Sequence, residues 1–208
     1  MRNTSIKMIF ELAKKNEKVL FIGSDLSPGL LDEMKNKYPD RYMMEGISEQ
    51  NLIGVSAGLA LSGFIPFFVT IATFLTRRAY EQIYIDIGLH DLPVKIIGIG
   101  GGLNYANLGP THIATDDLAL MKNIPNLSII VASDAEEMRS IMLKIINYKK
   151  PVYIRLAKGY EPILSFKEKF KNISIPRIIK FNQKNKVTIL SIGIMSLKVK
   201  NILKDIKT

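Results

Sequence analysis

The sequence contains no cysteine, so neither a disulfide framework nor a cysteine nucleophile is available to it. No apolar run approaches the roughly 20 residues needed to cross a bilayer. The first residues, Met1-Arg2-Asn3-Thr4, do not lead into the apolar segment typical of a signal peptide. These absences predict a soluble, cytoplasmic protein with no membrane partner.

Acidic residues are scarce in one part of the chain. Residues 144–208 hold 16 Lys and Arg against 3 Asp and Glu, whereas residues 1–143 hold 13 against 16. The net charge of +10 is therefore concentrated at the C-terminal end, which raises the question of nucleic-acid binding. Because 22 of the 29 basic residues are scattered lysines and no nucleic-acid-binding motif accompanies them, we favour a solvated surface and expect no nucleic-acid partner.

The 208 residues, 47% of them hydrophobic, suffice for one compact domain and a smaller unit. Short apolar segments alternate with helical patterns, which predicts an α/β fold: a parallel sheet with helices on both faces. Strands are expected at 18–22, 41–45, 64–71, 94–99, 127–132 and 152–156. Helices are expected at 4–16, 29–37, after Ser48, at 74–89, at 116–122, and from Ser133 or Asp134 to Tyr148.

The C-terminal end has a different composition. Residues 159–185 carry two prolines and many lysines, as linkers do, and they are followed by a predicted strand (186–195) and helix (196–206). One strand and one helix do not bury their apolar faces alone. We therefore expect a domain over residues 1–160, a linker over 161–185, and over 186–208 the start of a second α/β domain that is truncated or completed by another chain.

The stretch from Glu45 to Gly63 is rich in small residues. Ser48 is a favourable N-cap, which places Glu49 in the first turn of a helix, where the helix dipole favours a carboxylate. Gly54 and Gly58 each cost about 1 kcal/mol relative to alanine, which is tolerable if another backbone lies against this helix. Two interpretations of Glu49 stay open: a cap of its own helix, or a carboxylate that shares a proton with a ligand.

Two further side chains are candidates on local grounds. Asp25 follows the first predicted strand, at the edge where open α/β sheets bind ligands, and it either turns the chain or contacts a ligand. His112 is one of only two histidines and follows Gly109-Pro110-Thr111 after a long loop. His112 is either structural or a proton shuttle, whereas we interpret His90 as structural.

Three segments in order resemble the pyrimidine-binding domain of the transketolase family: EGISEQNLIGVSAGLA (45–60), TFLTRRAYEQ (73–82) and GPTH (109–112). The resemblance covers residues 4–160. It implies a thiamine diphosphate-binding fold, thiamine diphosphate as cofactor, and transfer of a two-carbon ketol unit between sugars. The nearest alternatives in the same chemistry are 1-deoxyxylulose-5-phosphate synthase and the β subunit of a 2-oxo acid dehydrogenase. Another alternative is a non-catalytic or truncated subunit that only stabilises a partner.

The resemblance also implies roles for residues at the cofactor. Glu49 would lie beside N1′ of the aminopyrimidine in a dry site that raises its proton affinity, so that the cofactor's own 4′-imino nitrogen takes the C2 proton. Phe74 would stack on the pyrimidine, unless it is ordinary core, and Ile71 holds a position where relatives often carry a larger ring-contacting side chain. Arg77 would order the pocket or pair with Glu81 on its own helix.

The diphosphate half of the site is missing from the sequence. The family's Gly-Asp-Gly motif and its downstream Asn are absent, and Gly98–Gly102 lacks the carboxylate that a hard cation requires. The resemblance therefore implies that the diphosphate and its Mg²⁺ or Ca²⁺ bind to a separate, N-terminal transketolase subunit. We expect a hetero-oligomer of dimers.

The substrate positions depart from the family pattern. Leu108 stands where an Asp is usual, and Gly100 and Gly101 stand where a basic residue often reads phosphate. Lys158, with Arg155 just before it, replaces an Arg, and that exchange is not neutral for bidentate phosphate binding. The resemblance makes His112, Arg155 and Lys158 the substrate-binding residues. The departures predict a modified or unphosphorylated sugar.

Overall fold

The computed structural model describes residues 1–24, 29–159, 161–164 and 187–205. Asp25 and most of the predicted linker over 161–185 lie outside the described residues. In the described part of the chain, no helix is long and apolar enough to cross a membrane.

Six strands form one sheet in the order β2-β1-β3-β4-β6-β5, and every neighbouring pair is parallel. The strands are β1 (Val19–Ser24), β2 (Tyr42–Glu45), β3 (Ile65–Ile71), β4 (Lys95–Ile99), β5 (Ser128–Val131) and β6 (Val152–Leu156). All six lie where the sequence predicts them. The α/β prediction is therefore confirmed.

Helices connect the strands. They are α1 (Arg2–Lys15), α2 (Asp32–Lys37), α3 (Glu49–Leu61), α4 (Tyr80–Gln82), α5 (Asp117–Lys122), α6 (Ala135–Ile145) and α7 (Met195–Asp205). Single 3₁₀ turns occur at Pro39–Arg41 and Ala106–Leu108. Asp134 caps α6 as predicted, since its carboxylate accepts a hydrogen bond from the Glu137 amide at 2.8 Å.

The sheet separates two apolar cores, because successive side chains of a strand point to opposite faces. On β3, Phe67 packs into the core that contains α1 and α6, and Phe68 packs into the core that contains α3 and the segment after β3. Both rings are fully buried. Helices therefore cover both faces, as the unbroken apolar runs of the strands predict.

The helical segment after β3 is not a regular α-helix. It consists of a π-helix (Phe74–Arg78), the single turn α4, and a second π-helix (Ile83–Leu89). The prediction of a helix over 74–89 is right in extent and wrong in kind. A π-helix has a wider turn than an α-helix, with i→i+5 hydrogen bonds. This changes the direction in which neighbouring side chains of this segment point.

The predicted strand at 186–195 is wrong over the residues that can be described. Residues 187–194 form no strand, and α7 begins at Met195. Val187 and Leu190 are 73% and 89% exposed. An extended segment forms a strand only where a neighbour offers its backbone groups, and no described strand pairs with this one.

Candidate active site

The candidate site lies at the carboxyl edge of the parallel sheet. β1 ends there at Ser24 and β3 at Ile71, and the turn after β2 leads into α3. Glu49 is the first residue of α3, and it is 1% exposed. The Ser48–Glu49 pattern therefore places a carboxylate at a helix N-terminus, as predicted, and the fold buries it.

The Glu49 carboxylate is held by side chains from three other segments. The Ser24 hydroxyl donates a hydrogen bond to Oε1 at 2.7 Å, and the Thr70 hydroxyl lies 3.4 Å from the same oxygen. The Arg78 guanidinium donates to Oε2 at 2.6 Å. These contacts fix the carboxylate where β1, β3 and the first π-helix meet.

The electrostatics of Glu49 differ from the expectation of a raised proton affinity. Burial by itself raises the pKa of Glu49, but the hydrogen bonds from Arg78 and Ser24 outweigh burial and hold the pKa below its usual value. The carboxylate is therefore ionised at neutral pH and acts as a hydrogen-bond acceptor. Arg78 was not among the residues identified from the sequence. Its partner Glu49 lies 29 positions away in the sequence, so spacing along one helix gives no signal for this pair.

Phe74 lies between the acidic and the imidazole parts of the site. The Arg78 guanidinium carbon is 4.4 Å from the centroid of its ring. The His112 ring meets the Phe74 ring edge-on, with centroids 5.2 Å apart and an angle of 70°. The structure thus brings Glu49, Phe74 and His112 together through Arg78, although they come from three separate sequence motifs.

His112 has two further neighbours. The Thr111 hydroxyl is 2.9 Å from its Nδ1, and the Tyr105 ring centroid is 6.2 Å from its own. Tyr105 is 5% exposed, and the exposed Lys158 places its ammonium nitrogen 5.1 Å from the Tyr105 centroid. Tyr105 was missed from the sequence. The signal was its place as the one aromatic residue of the loop over 100–110.

The two neighbouring arginines of the π-helix point to different partners. Arg77 forms a bidentate pair with Asp116, with Nε–Oδ2 and Nη2–Oδ1 distances of 2.9 and 2.7 Å. It also donates to the Pro110 carbonyl at 3.1 Å. Arg77 therefore pairs with Asp116 rather than with Glu81.

Arg155 lies inside the protein rather than at the rim. Its Nε donates to Asp117 Oδ2 at 2.6 Å, and the Tyr153 hydroxyl donates to the same oxygen at 3.0 Å. Asp117 is fully buried. A Cβ on Gly101 would lie 2.4 Å from Arg155 Nε, so the glycine-rich loop packs directly on this ion pair. The arginine is thus occupied by a carboxylate beneath the loop.

Ile71 ends β3 and packs against the core that contains α1 and α6. Thr70, the preceding residue, faces the opposite way, toward Glu49. Among the described residues, no group of three or more His, Asp or Glu side chains is placed to hold a metal ion. A diphosphate-bound cation therefore has no ligand cluster in the described part of this chain.

Comparisons with known proteins identify the family of the chain. The sequence model for the transketolase pyrimidine-binding domain matches residues 1–161. A 6-deoxy-6-sulfo-D-fructose transketolase subunit of Clostridium sp. (strain MSTE9) is 29% identical over 94% of this chain and 60% of its own length. A 1-deoxy-D-xylulose-5-phosphate synthase of Methylacidiphilum infernorum (isolate V4) is 34% identical over 90% of this chain and 30% of its own length.

A solved structure has the same fold. It is a split-gene transketolase in the form of an inactive β4 tetramer, which superimposes with a TM-score of 0.82 at 33% identity over 98% of this chain and 67% of that one. The chain spans 60% and 30% of the lengths of the two relatives. A match over residues 1–161 covers well over half of the sequence. The chain therefore belongs to the transketolase family, and its first domain is the pyrimidine-binding domain of that family.

Proposed function

We propose that the chain is the pyrimidine-binding subunit of a thiamine diphosphate-dependent, transketolase-like transferase that moves a two-carbon ketol unit between sugars. The observation that carries the proposal is Glu49, a buried, ionised carboxylate at the carboxyl edge of the sheet with Phe74 and His112 near it. The family's cofactor is thiamine diphosphate, and a buried carboxylate beside an aromatic ring can share a proton with its aminopyrimidine.

In this proposal Glu49 and N1′ of the aminopyrimidine would share a proton that is taken up from solvent when the ring binds. Ser24 fixes the direction of the carboxylate, and Arg78 keeps it ionised until the ring nitrogen arrives. Phe74 packs against the pyrimidine and keeps water from the carboxylate. When bound, thiamine diphosphate supplies the nucleophilic carbon of the reaction.

His112 is proposed as the group that hydrogen-bonds the substrate oxygen and moves its proton. Its Nδ1 lies beside the Thr111 hydroxyl at 2.9 Å, which leaves Nε2 for a substrate. An imidazole at the rim, in contact with the ring that would pack on the cofactor, is well placed for this role.

The donor is proposed to be a modified or unphosphorylated sugar. Arg77, Arg78 and Arg155 are each paired with a carboxylate. Among the ion pairs of the described residues, Lys158 has no acidic partner, and it offers one ammonium rather than a bidentate guanidinium. A relative named for a sulfonated sugar supports a donor other than a standard sugar phosphate.

The diphosphate and its Mg²⁺ or Ca²⁺ are proposed to bind to a partner subunit. The described residues contain no metal-ligand cluster, and the sequence lacks the family's diphosphate motif. Two of the similar proteins are named as a subunit and as a split-gene product. The active form would then be a hetero-oligomer.

A second candidate is the chemistry of 1-deoxyxylulose-5-phosphate synthase, favoured by the relative from Methylacidiphilum infernorum. The two reactions differ in their donors: a synthase would use pyruvate, whereas the proposed transferase would use a ketose. The Gly-Pro-Thr-His segment and the similarity to a split-gene transketolase favour the transferase.

The test is a donor panel with the chain and a diphosphate-binding transketolase subunit, thiamine diphosphate, Mg²⁺ and an aldose acceptor. We expect two-carbon transfer from a ketose, with a loss of about 100- to 10,000-fold in Glu49→Gln. Glu33→Gln, which changes an exposed carboxylate on α2, is the matched control and keeps full activity. Product formed only when pyruvate is the donor would favour the synthase. A strong preference for xylulose 5-phosphate as donor would contradict the proposed donor. No transfer from any donor with a partner that binds the chain would favour the non-catalytic alternative.

A further inference from the structure

We propose that Arg77 and Asp116 are positioning residues, a clamp that holds the segment Gly109–His112 so that His112 faces the site. The inference rests on the proposed function, in which His112 meets the substrate, and goes beyond it by assigning a purpose to an ion pair that touches neither cofactor nor substrate. We call the Arg77–Asp116 pair with its bond to the Pro110 carbonyl the clamp.

The clamp joins two elements that are distant in sequence. Arg77 belongs to the first π-helix, and Asp116 immediately precedes α5. Both oxygens of Asp116 are used, at 2.9 and 2.7 Å, and the third contact of the guanidinium reaches the Pro110 carbonyl at 3.1 Å. A bidentate pair fixes direction as well as distance, which a single contact does not.

The segment that carries His112 has few backbone ties of its own. The His112 amide donates to the Gly109 carbonyl at 3.0 Å, which closes a turn, and Gly109 adopts a φ of +80° that favours glycine. Pro110 contributes no amide donor. The Pro110 carbonyl on Arg77 and the Phe74 ring against His112 are therefore what holds this turn to the π-helix.

Phe74 and Arg77, both in the first π-helix, contact the turn formed by Gly109–His112. Phe74 contacts the imidazole itself, with centroids 5.2 Å apart, while Arg77 holds the backbone two residues before it. Any movement of the clamp would thus change the angle between the imidazole and the ring that is proposed to pack on the cofactor.

The clamp is too exposed to serve mainly for stability. The side chains of Arg77 and Asp116 are 41% and 43% exposed, and exposed ion pairs contribute little to the free energy of unfolding. The Arg77 guanidinium does lower the pKa of Asp116, which agrees with a formed pair in the folded chain. A pair that stabilises the fold little but fixes a turn next to the site is better explained by positioning.

The first arm of the test uses the two histidines as probes. In the full chain labelled with ¹³C-histidine, each of the two histidines gives one ring Cε1–H signal, and His90→Gln assigns them. We expect Arg77→Gln and Asp116→Asn each to shift or broaden the His112 signal and to leave the His90 signal in place. Lys150→Gln, which breaks the similarly exposed pair with Asp91, is the matched control. It should change neither the position nor the width of the His112 signal.

The second arm measures transfer kinetics with the partner subunit. We expect kcat to fall about 10- to 100-fold in Arg77→Gln and Asp116→Asn, with the donor KM changed far less, because a misplaced group slows the reaction more than it weakens binding. Arg77→Lys keeps the charge but not the fork, so it should recover only part of the loss. The midpoint of urea unfolding should stay close to that of the wild type.

The outcomes separate the two proposals. A His112 signal that stays in place in both variants, or one that moves together with His90, overturns the clamp even if the wild type is active. A shifted His112 signal together with an unchanged kcat would show that the clamp positions His112 without any effect on catalysis, which overturns the proposed purpose of the clamp. An inactive wild-type complex refutes the proposed function, while the spectra of the full chain still decide whether the pair positions His112.

Discussion

The two ends of the sheet pair their charged side chains in different ways. At the carboxyl end, three carboxylates are each paired with an arginine: Glu49 with Arg78, Asp116 with Arg77, and Asp117 with Arg155. At the amino end, Lys95 opens β4 fully buried, and its ammonium donates to the Tyr148 and Lys150 carbonyls at 2.5 and 3.0 Å. No carboxylate faces it among the described ion pairs.

The difference shows what each end is for. Pairing with arginine keeps Glu49 ionised inside the protein, and its pKa is lowered despite burial. At the other end, burial and the nearby Lys149 lower the pKa of Lys95 to about 7. The Lys95 ammonium holds the turn before β6 by hydrogen bonds to backbone carbonyls. Its role is therefore structural, and burial of its charge is unfavourable. Ligand chemistry is therefore expected at the carboxyl end only.

The largest effect on stability is expected from breaking the Arg155–Asp117 pair. Arg155→Met would leave the buried Asp117 with the Tyr153 hydroxyl alone, and the free energy of unfolding should fall by about 3 kcal/mol. Urea unfolding measures this. Arg139→Met, at an exposed arginine on α6, is the control and should cost less than about 0.5 kcal/mol. Equal small effects in both variants would show that the pairing at the carboxyl end contributes no more than a surface arginine.

Lys95 gives a pH-dependent effect of intermediate size. Its pKa is lower in the folded chain, about 7, than the ordinary 10.5, so folding releases a proton between these values. The free energy of unfolding therefore gains nothing from Lys95 below pH 7. Above pH 7 it rises with pH by up to about 1.4 kcal/mol per pH unit. Lys95→Met should lose this rise between pH 7 and 9 in urea unfolding. Lys18→Met, at an exposed lysine of the same end, should retain it. Parallel curves for wild type and Lys95→Met would contradict the contrast between the ends.

The smallest effect is expected on α3, which carries Glu49. A Cβ on Gly54 or Gly58 would meet nothing within 4 Å, so these glycines have no packing reason within this chain. Gly54→Ala and Gly58→Ala should each stabilise the isolated chain by up to about 1 kcal/mol. If a partner subunit's backbone packs against this face, both should weaken co-assembly with the partner subunit in size-exclusion chromatography. Stabilisation with unchanged assembly would show that the partner contacts another surface.

The sequence was sufficient for the parts of the fold that depend on local pattern. Each predicted strand up to residue 156 is present, and α3 begins at Glu49, directly after Ser48, as predicted. The failure at 186–195 has a physical reason, because a strand needs a neighbour and none is described there.

The site was predictable only in part. Glu49, Phe74 and His112, which come from three sequence segments, are linked by contacts through Arg78 and Phe74 in the structure. The partners did not follow from helical spacing, because Arg77 and Arg78 pair with Asp116 and Glu49, which lie 39 and 29 positions away in the sequence. The pairing of Arg155 with Asp117 joins residues 38 positions apart and has no local signal.

The central claim is that Glu49 activates the cofactor through N1′, and C2 hydrogen–deuterium exchange of thiamine diphosphate tests it most directly. The exchange rate would be measured with the chain and its diphosphate-binding partner, as wild type, Glu49→Gln and the control Glu33→Gln. We expect fast exchange in the wild type and the control, and a loss of about 100-fold or more in Glu49→Gln. Exchange in Glu49→Gln as fast as in the wild type would contradict it.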